Sequence, residues 1–204
     1  MNGKQQGFTL IEILVVVTII GVLAGLVVVL IPRGQFEAAK VDCMNNVRNI
    51  TNLLNITLPN KYPNYSGANL ILYLVAKGEI KGKDGLKAFF CPGDGKDNID
   101  DVNGVDGYKD INLERNGEYD AYTSYAGRDL RNAACKAKPS ETESKVLVCD
   151  DSEDHHDKKG FVVGMTDGSV QWRGKFDDYG LSVESNLMIG EGSAAPELAC
   201  LRAD

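Results

Sequence analysis

The sequence has no run of basic residues. Its 22 Lys+Arg stand against 29 Asp+Glu, a formal charge of -7. Phosphate binding draws most of its free energy from Lys and Arg contacts, so no nucleic acid is expected as a partner. There is no G-x-S-x-G, no H-E-x-x-H and no glycine-rich phosphate loop, and the only two histidines, His155 and His156, are adjacent with no evident nucleophile beside them. The chain is therefore not expected to be an enzyme. Cysteine is sparse and scattered: Cys43, Cys91, Cys135, Cys149 and Cys200 form no C-x-x-C, which argues against a zinc knuckle or a thioredoxin-type redox pair. In an oxidising compartment, two disulfides with one thiol left over is the simplest arithmetic. Cys135 and Cys149 are near enough along the chain to close a short loop and rank first as a pair, with Cys200 as the odd thiol.

What is present is concentrated at one end. From Phe8 to Ile31 run 24 residues whose only polar side chains are Thr9, Glu12 and Thr18. As a helix this run would be about 36 Å long, enough to cross a bilayer. The preceding MNGKQQG carries Lys4 and no acid, which predicts a cytoplasmic start and export of everything after Ile31. An ordinary secretory signal places its apolar core before a small-residue cleavage site; here the small residue, Gly7, comes first and no A-x-A site follows. A cut at Gly7 leaves the helix on the mature protein. Glu12 is the anomaly, because a carboxylate in an apolar span costs about 2 to 3 kcal/mol. No Lys, Arg or His lies within the run, so the expected partner is the ammonium that cleavage would create at Phe8, on the same chain or a neighbouring one. Snorkelling of Glu12 to the interface is the competing reading. Gly21 and Gly25 permit close helix approach, and Pro32 with Gly34 predicts a kink or local melting at the membrane exit.

The segment GFTLIEILVVVTIIGVLAGLVVVLIP resembles the type III signal of type IV pilins and type II secretion pseudopilins. The resemblance implies cleavage after Gly7 by a membrane aspartyl peptidase, the prepilin peptidase, and methylation of the new amino terminus at Phe8. It also implies assembly through Glu12 into a helical filament of identical or homologous subunits, on an inner-membrane platform. Most relatives carry the proline about a turn earlier than Pro32, so details of helix melting do not transfer. Further along, CMNNVRNI (Cys43 to Ile50), FFCPGD (Phe89 to Asp94), TSY (Thr123 to Tyr125) and DGSV (Asp167 to Val170) look like the pseudopilin-like bacterial proteins with a C-terminal H-x9-DG motif. Two departures stand out: ten residues separate His156 from Asp167, and Ser169 stands where that group has a histidine.

Phe36, Ala39, Cys43, Val47, Ile50 and Leu54 recur at steps of three and four, so the helix should continue as a spine to about Leu58, before Pro59. On this stripe Cys43 reads as a buried thiol or a staple rather than a reactive site. A second helix is expected from Ala68 to Lys77, ended by Gly78. A strand is expected over Lys145 to Cys149, and a hairpin of Phe161 to Thr166 and Ser169 to Trp172 around Asp167-Gly168. The fold class that follows is α+β: a long N-terminal helix packed on a small antiparallel sheet, as in a pilin. The expected division is a leader at 1–7, a transmembrane and assembly helix at 8–31, an extracytoplasmic domain at 32–190 and a mobile C-terminal tail at 191–204.

Two acidic clusters remain. GDGKDNIDDVNGVDG supplies Asp94, Asp97, Asp100, Asp101, Asn103 and Asp106, hard oxygen donors among glycines, as a calcium loop needs, though the EF-hand pattern is absent and a solvated loop is the plainer alternative. Asp150, Asp151, Glu153 and Asp154 flank His155 and His156. With no third spaced soft ligand nearby, this stretch reads as a charged turn rather than a metal site or metalloenzyme centre. Six scattered tyrosines, Tyr62, Tyr65, Tyr73, Tyr119, Tyr122 and Tyr125, are read as core and edge packing. A monomeric, membrane-anchored module that binds calcium or another ligand is the competing function.

Overall fold

The computed structural model describes residues 8–93, 108, 111–113, 122–139, 141–150, 156, 159–174, 189, 193 and 196–202, with the backbone but not the side chains of 27–32. The chain divides into two compact units, Met1–Ala38 and Ala39–Asp204. One helix, α1 (Leu10–Thr57), contributes to both. Pro32 falls within it without breaking it, so the local melting expected there is not found. A proline removes one intrahelical hydrogen bond, a loss that the turns on either side can absorb.

In the first unit every described side chain from Phe8 to Leu26 is exposed, on all faces of the helix. Among the described residues no helix is long and apolar enough to cross a membrane.

In the second unit α1 turns amphipathic, as the spacing predicts. Cys43, Val47, Ile50 and Leu54 are completely buried, while Asn45, Arg48, Asn49 and Asn52 face outward. After the helix come α2 (Ala68–Ala76), α3 (Gly82–Leu86) and a 3-10 turn, Lys87–Phe89. Gly78 closes α2 with a left-handed φ of 74°. Five strands follow: β1 (Tyr125–Arg128), β2 (Val146–Asp150), β3 (Gly160–Met165), β4 (Val170–Gly174) and β5 (Leu201–Arg202). They form one antiparallel sheet in the order β4-β3-β2-β1-β5. The α+β class expected from the sequence is the one observed.

Alternation along the strands sorts side chains between two apolar layers. Tyr125, Leu147 and Val162 join the spine of α1 and the buried face of α2, whereas Ala126, Cys149, Phe161, Val163 and Met165 pack on the other side with Leu198 and Leu201. The helix lies close on the sheet at Gly164, where an added Cβ would stand 2.7 Å from Val47 Cγ1. The β3–β4 turn is the expected Asp167-Gly168, with Gly168 at φ 84° and the Asp167 carboxylate accepting from the Ser169 amide at 2.8 Å.

Two sequence expectations are corrected here. The disulfide joins Cys135 to Cys200, not to Cys149, and Cys43, Cys91 and Cys149 are buried thiols, so there is one bridge rather than two. Cys149 is held in the middle of β2, its side chain in the second apolar layer. Cys135 and Cys200 instead meet at the end of β1. The Arg128 guanidinium donates to the Cys135 carbonyl at 2.6 Å, and the Asp129 amide donates to the Cys200 carbonyl at 2.7 Å. Their Cα atoms are 5.3 Å apart, within the usual disulfide range. The C-terminal segment is accordingly not a mobile tail throughout: β5 completes the sheet beside β1, and Leu198 and Leu201 are fully buried. Of the tyrosines, Tyr62 and Tyr125 are buried and Tyr65, Tyr73 and Tyr122 half-buried, while Tyr119 lies outside the described residues.

Candidate functional sites at the helix start and in the domain core

Leu10 opens α1, so Thr9 is its N-cap and Glu12 its third helical residue. The Glu12 carboxylate accepts from the Thr9 amide and from the Thr9 hydroxyl, each at 2.7 Å and both on Oε2. The Glu12 amide in turn approaches Thr9 Oγ1 at 3.4 Å. Threonine followed three positions on by glutamate is a capping box. Sequence reasoning took the Phe8 ammonium for the only available partner and missed this one, although the T-x-x-E spacing was legible. Thr18 bonds back to the Val15 carbonyl at 2.7 Å, so its hydroxyl is satisfied within the helix. Phe8, with 85% of its surface exposed, stands just ahead of the cap. Gly7 lies outside the described residues.

The second site was not foreseen. Asp150 ends β2, and because strand alternation turns it away from Cys149 it points back toward α1. There the Cys43 thiol donates to Oδ1 at 3.1 Å and the Val162 amide to Oδ2 at 2.7 Å. His156 Nε2 is 3.5 Å from Asp150 Oδ2 and 3.4 Å from the sulfur of Cys91, which follows the 3-10 turn Lys87–Phe89. The Tyr125 hydroxyl donates to Cys43 Sγ at 3.5 Å, and the Trp172 ring meets the imidazole edge-on at 5.1 Å between centroids. None of Cys43, Cys91, Asp150 and His156 is more than 3% exposed.

The electrostatics follow from this enclosure. Burial pushes the Cys43 thiol up, reinforced by its hydrogen bond to Cys91 and by the nearby Asp150 charge. The hydrogen bond from Cys43 brings Cys91 down to about 6, against the opposing effect of burial and with help from His156. Burial alone would lower His156, but hydrogen bonds to Asp150 and Cys91 outweigh it and raise the imidazole to about 9. Such a group favours a negative sulfur beside a positive ring, shut away from solvent. The charged turn expected at Asp150 and His156 is therefore corrected to a buried cluster; Asp151, Glu153, Asp154 and His155 lie outside the described residues, as do all six candidate calcium ligands, Asp94, Asp97, Asp100, Asp101, Asn103 and Asp106.

A long helix entering an antiparallel α+β domain, with a glutamate three residues past the cap of an all-apolar first segment, is the arrangement that a pilin-type subunit requires. The family model for the prokaryotic N-terminal methylation motif matches residues 2–28. The chain carries the prepilin signal of type IV pilins and pseudopilins, which marks it as a pilin-like or pseudopilin-like substrate of prepilin peptidase. No curated protein and no solved structure matches it.

Proposed function

We propose that the protein is a structural subunit of a type IV pilus or type II secretion pseudopilus, cut after Gly7, methylated at Phe8, and assembled through α1 into a filament. The methylation motif at residues 2–28 carries this reading. The exposed apolar surface of Phe8 to Leu26 supports it, since a helix that is apolar all round needs lipid or other helices to cover it. Before assembly the segment from Phe8 to Ile31 anchors the chain in the bacterial inner membrane, its start cytoplasmic and its α+β domain outside; that domain then enters a periplasmic or surface filament. The Thr9 cap shapes how Glu12 acts. In a lone subunit the capping box meets part of the cost of a carboxylate in lipid, and in the filament the second carboxylate oxygen takes the Phe8 ammonium of a neighbour. Subunits thereby fall into register. The experiment is Glu12→Val in the native host. Processing and methylation at Phe8 should persist by mass spectrometry while the subunit disappears from sheared or purified filaments. Incorporation at the wild-type level would instead favour a monomeric anchored module.

A further inference from the structure

We infer that Cys43, Cys91, Asp150 and His156 form a closed structural zinc site in the core of the domain. Their four ligand atoms all lie within 4.8 Å of one another. Three of the separations are 3.1, 3.4 and 3.5 Å. Around a tetrahedral zinc with bonds of about 2.0 to 2.3 Å, ligand atoms stand roughly 3.3 to 3.8 Å apart, so the cage needs only a small contraction to receive the ion.

The donor set selects the metal. Two thiolates and an imidazole are too soft for calcium or magnesium, which want six or more oxygens, and four donors of the types Cys, Cys, His and Asp match tetrahedral zinc. Four protein ligands in a solvent-free position leave no open coordination place for a substrate, which makes the site structural rather than catalytic. The surrounding groups are those that orient metal ligands: the Tyr125 hydroxyl on Cys43 Sγ, the Val162 amide on Asp150 Oδ2 and the Trp172 edge against the imidazole. Binding releases the two thiol protons to solvent as two S–Zn bonds form, with no change of oxidation state. The ligands come from α1, the end of the 3-10 turn, β2 and the residue at 156, with Cys43 and Asp150 separated by 107 positions. One ion therefore ties the helical spine to the sheet, where a disulfide between Cys43 and Cys91 would leave the carboxylate and imidazole uncommitted.

The test uses the full chain, produced with zinc in the medium and purified in detergent without chelator. Elemental analysis should give one zinc per chain, retained by Cys149→Ser and reduced at least roughly tenfold by Cys91→Ser. Exchange with cobalt(II) should produce the intense visible bands of tetrahedral coordination together with thiolate-to-cobalt charge transfer. Should Cys91→Ser fail to fold, wild type carries the test: chelator should lower its melting temperature, and zinc but neither calcium nor magnesium should restore it. A folded chain with less than about a tenth of a zinc overturns the proposal. So does a Cys43–Cys91 disulfide in the native protein, or a zinc content that Cys91→Ser leaves unchanged.

Discussion

Asp167 shows how much a single residue can disclose in sequence. Asp-Gly between two apolar runs specifies a tight turn because aspartate bonds the backbone two residues on and glycine accepts positive φ, and both are seen: the Ser169 amide on Asp167 and φ 84° at Gly168. The Ser169 hydroxyl and then its amide hold the Asp167 carboxyl below the ordinary carboxylate range. A depressed folded pKa adds stability that is fully present above the unfolded value, near 3.8, and fades as pH falls through the lower folded value. Asp167→Asn keeps an oxygen to cap the turn but not the charge. Wild type should therefore be slightly the more stable at neutral pH, with the gap closing below about pH 3 in paired urea titrations; a gap independent of pH would show that the charge contributes nothing. The site at Cys43, Cys91, Asp150 and His156 was illegible for the opposite reason. Its members are joined only by tertiary packing, and adjacency in the sequence drew attention to acids beside His156 rather than to sulfurs far up the chain.

Among the elements, those whose pattern is local were readable. The stripe of Cys43, Val47, Ile50 and Leu54 gave the course of α1, and the apolar run before Asp150 gave β2. β1 and β5 were not. The first is Tyr-Ala-Gly-Arg, with too few large side chains to alternate, and Gly127 is there because a Cβ would strike the backbone of Gly67 at the start of α2. The second has two residues and exists through its pairing with β1. The Cys135–Cys200 bridge secures that pairing across 65 positions. By loop entropy such a closure contributes about 4 kcal/mol. Replacing Cys200 with Ala should lower the unfolding free energy by roughly 2 to 5 kcal/mol. Peptide mapping of the unreduced wild type should recover Cys135 linked to Cys200, with Cys149 open to alkylation only after denaturation; a Cys135–Cys149 peptide would contradict the fold described.

For the whole molecule the boundary at Ala38 and Ala39 matters most. The second unit contains the apolar layers on both sides of the sheet and the disulfide, so a chain starting at Ala39 should be a detergent-free monomer that melts cooperatively. Sedimentation and calorimetry check this, and persistent association of that fragment would place part of the assembly surface in the domain instead of the exposed helix.

The bridge also has a mechanical meaning. Within the 65-residue closure between Cys135 and Cys200 lie β2, β3 and β4. Tension drawn along the backbone from the amino-terminal end crosses from one sulfur to the other and never loads those strands in series. Roughly 220 Å of contour is thereby withheld from any extension. A fibre of such subunits could stretch only by loosening what precedes Cys135, which leaves three strands of the sheet outside the line of force.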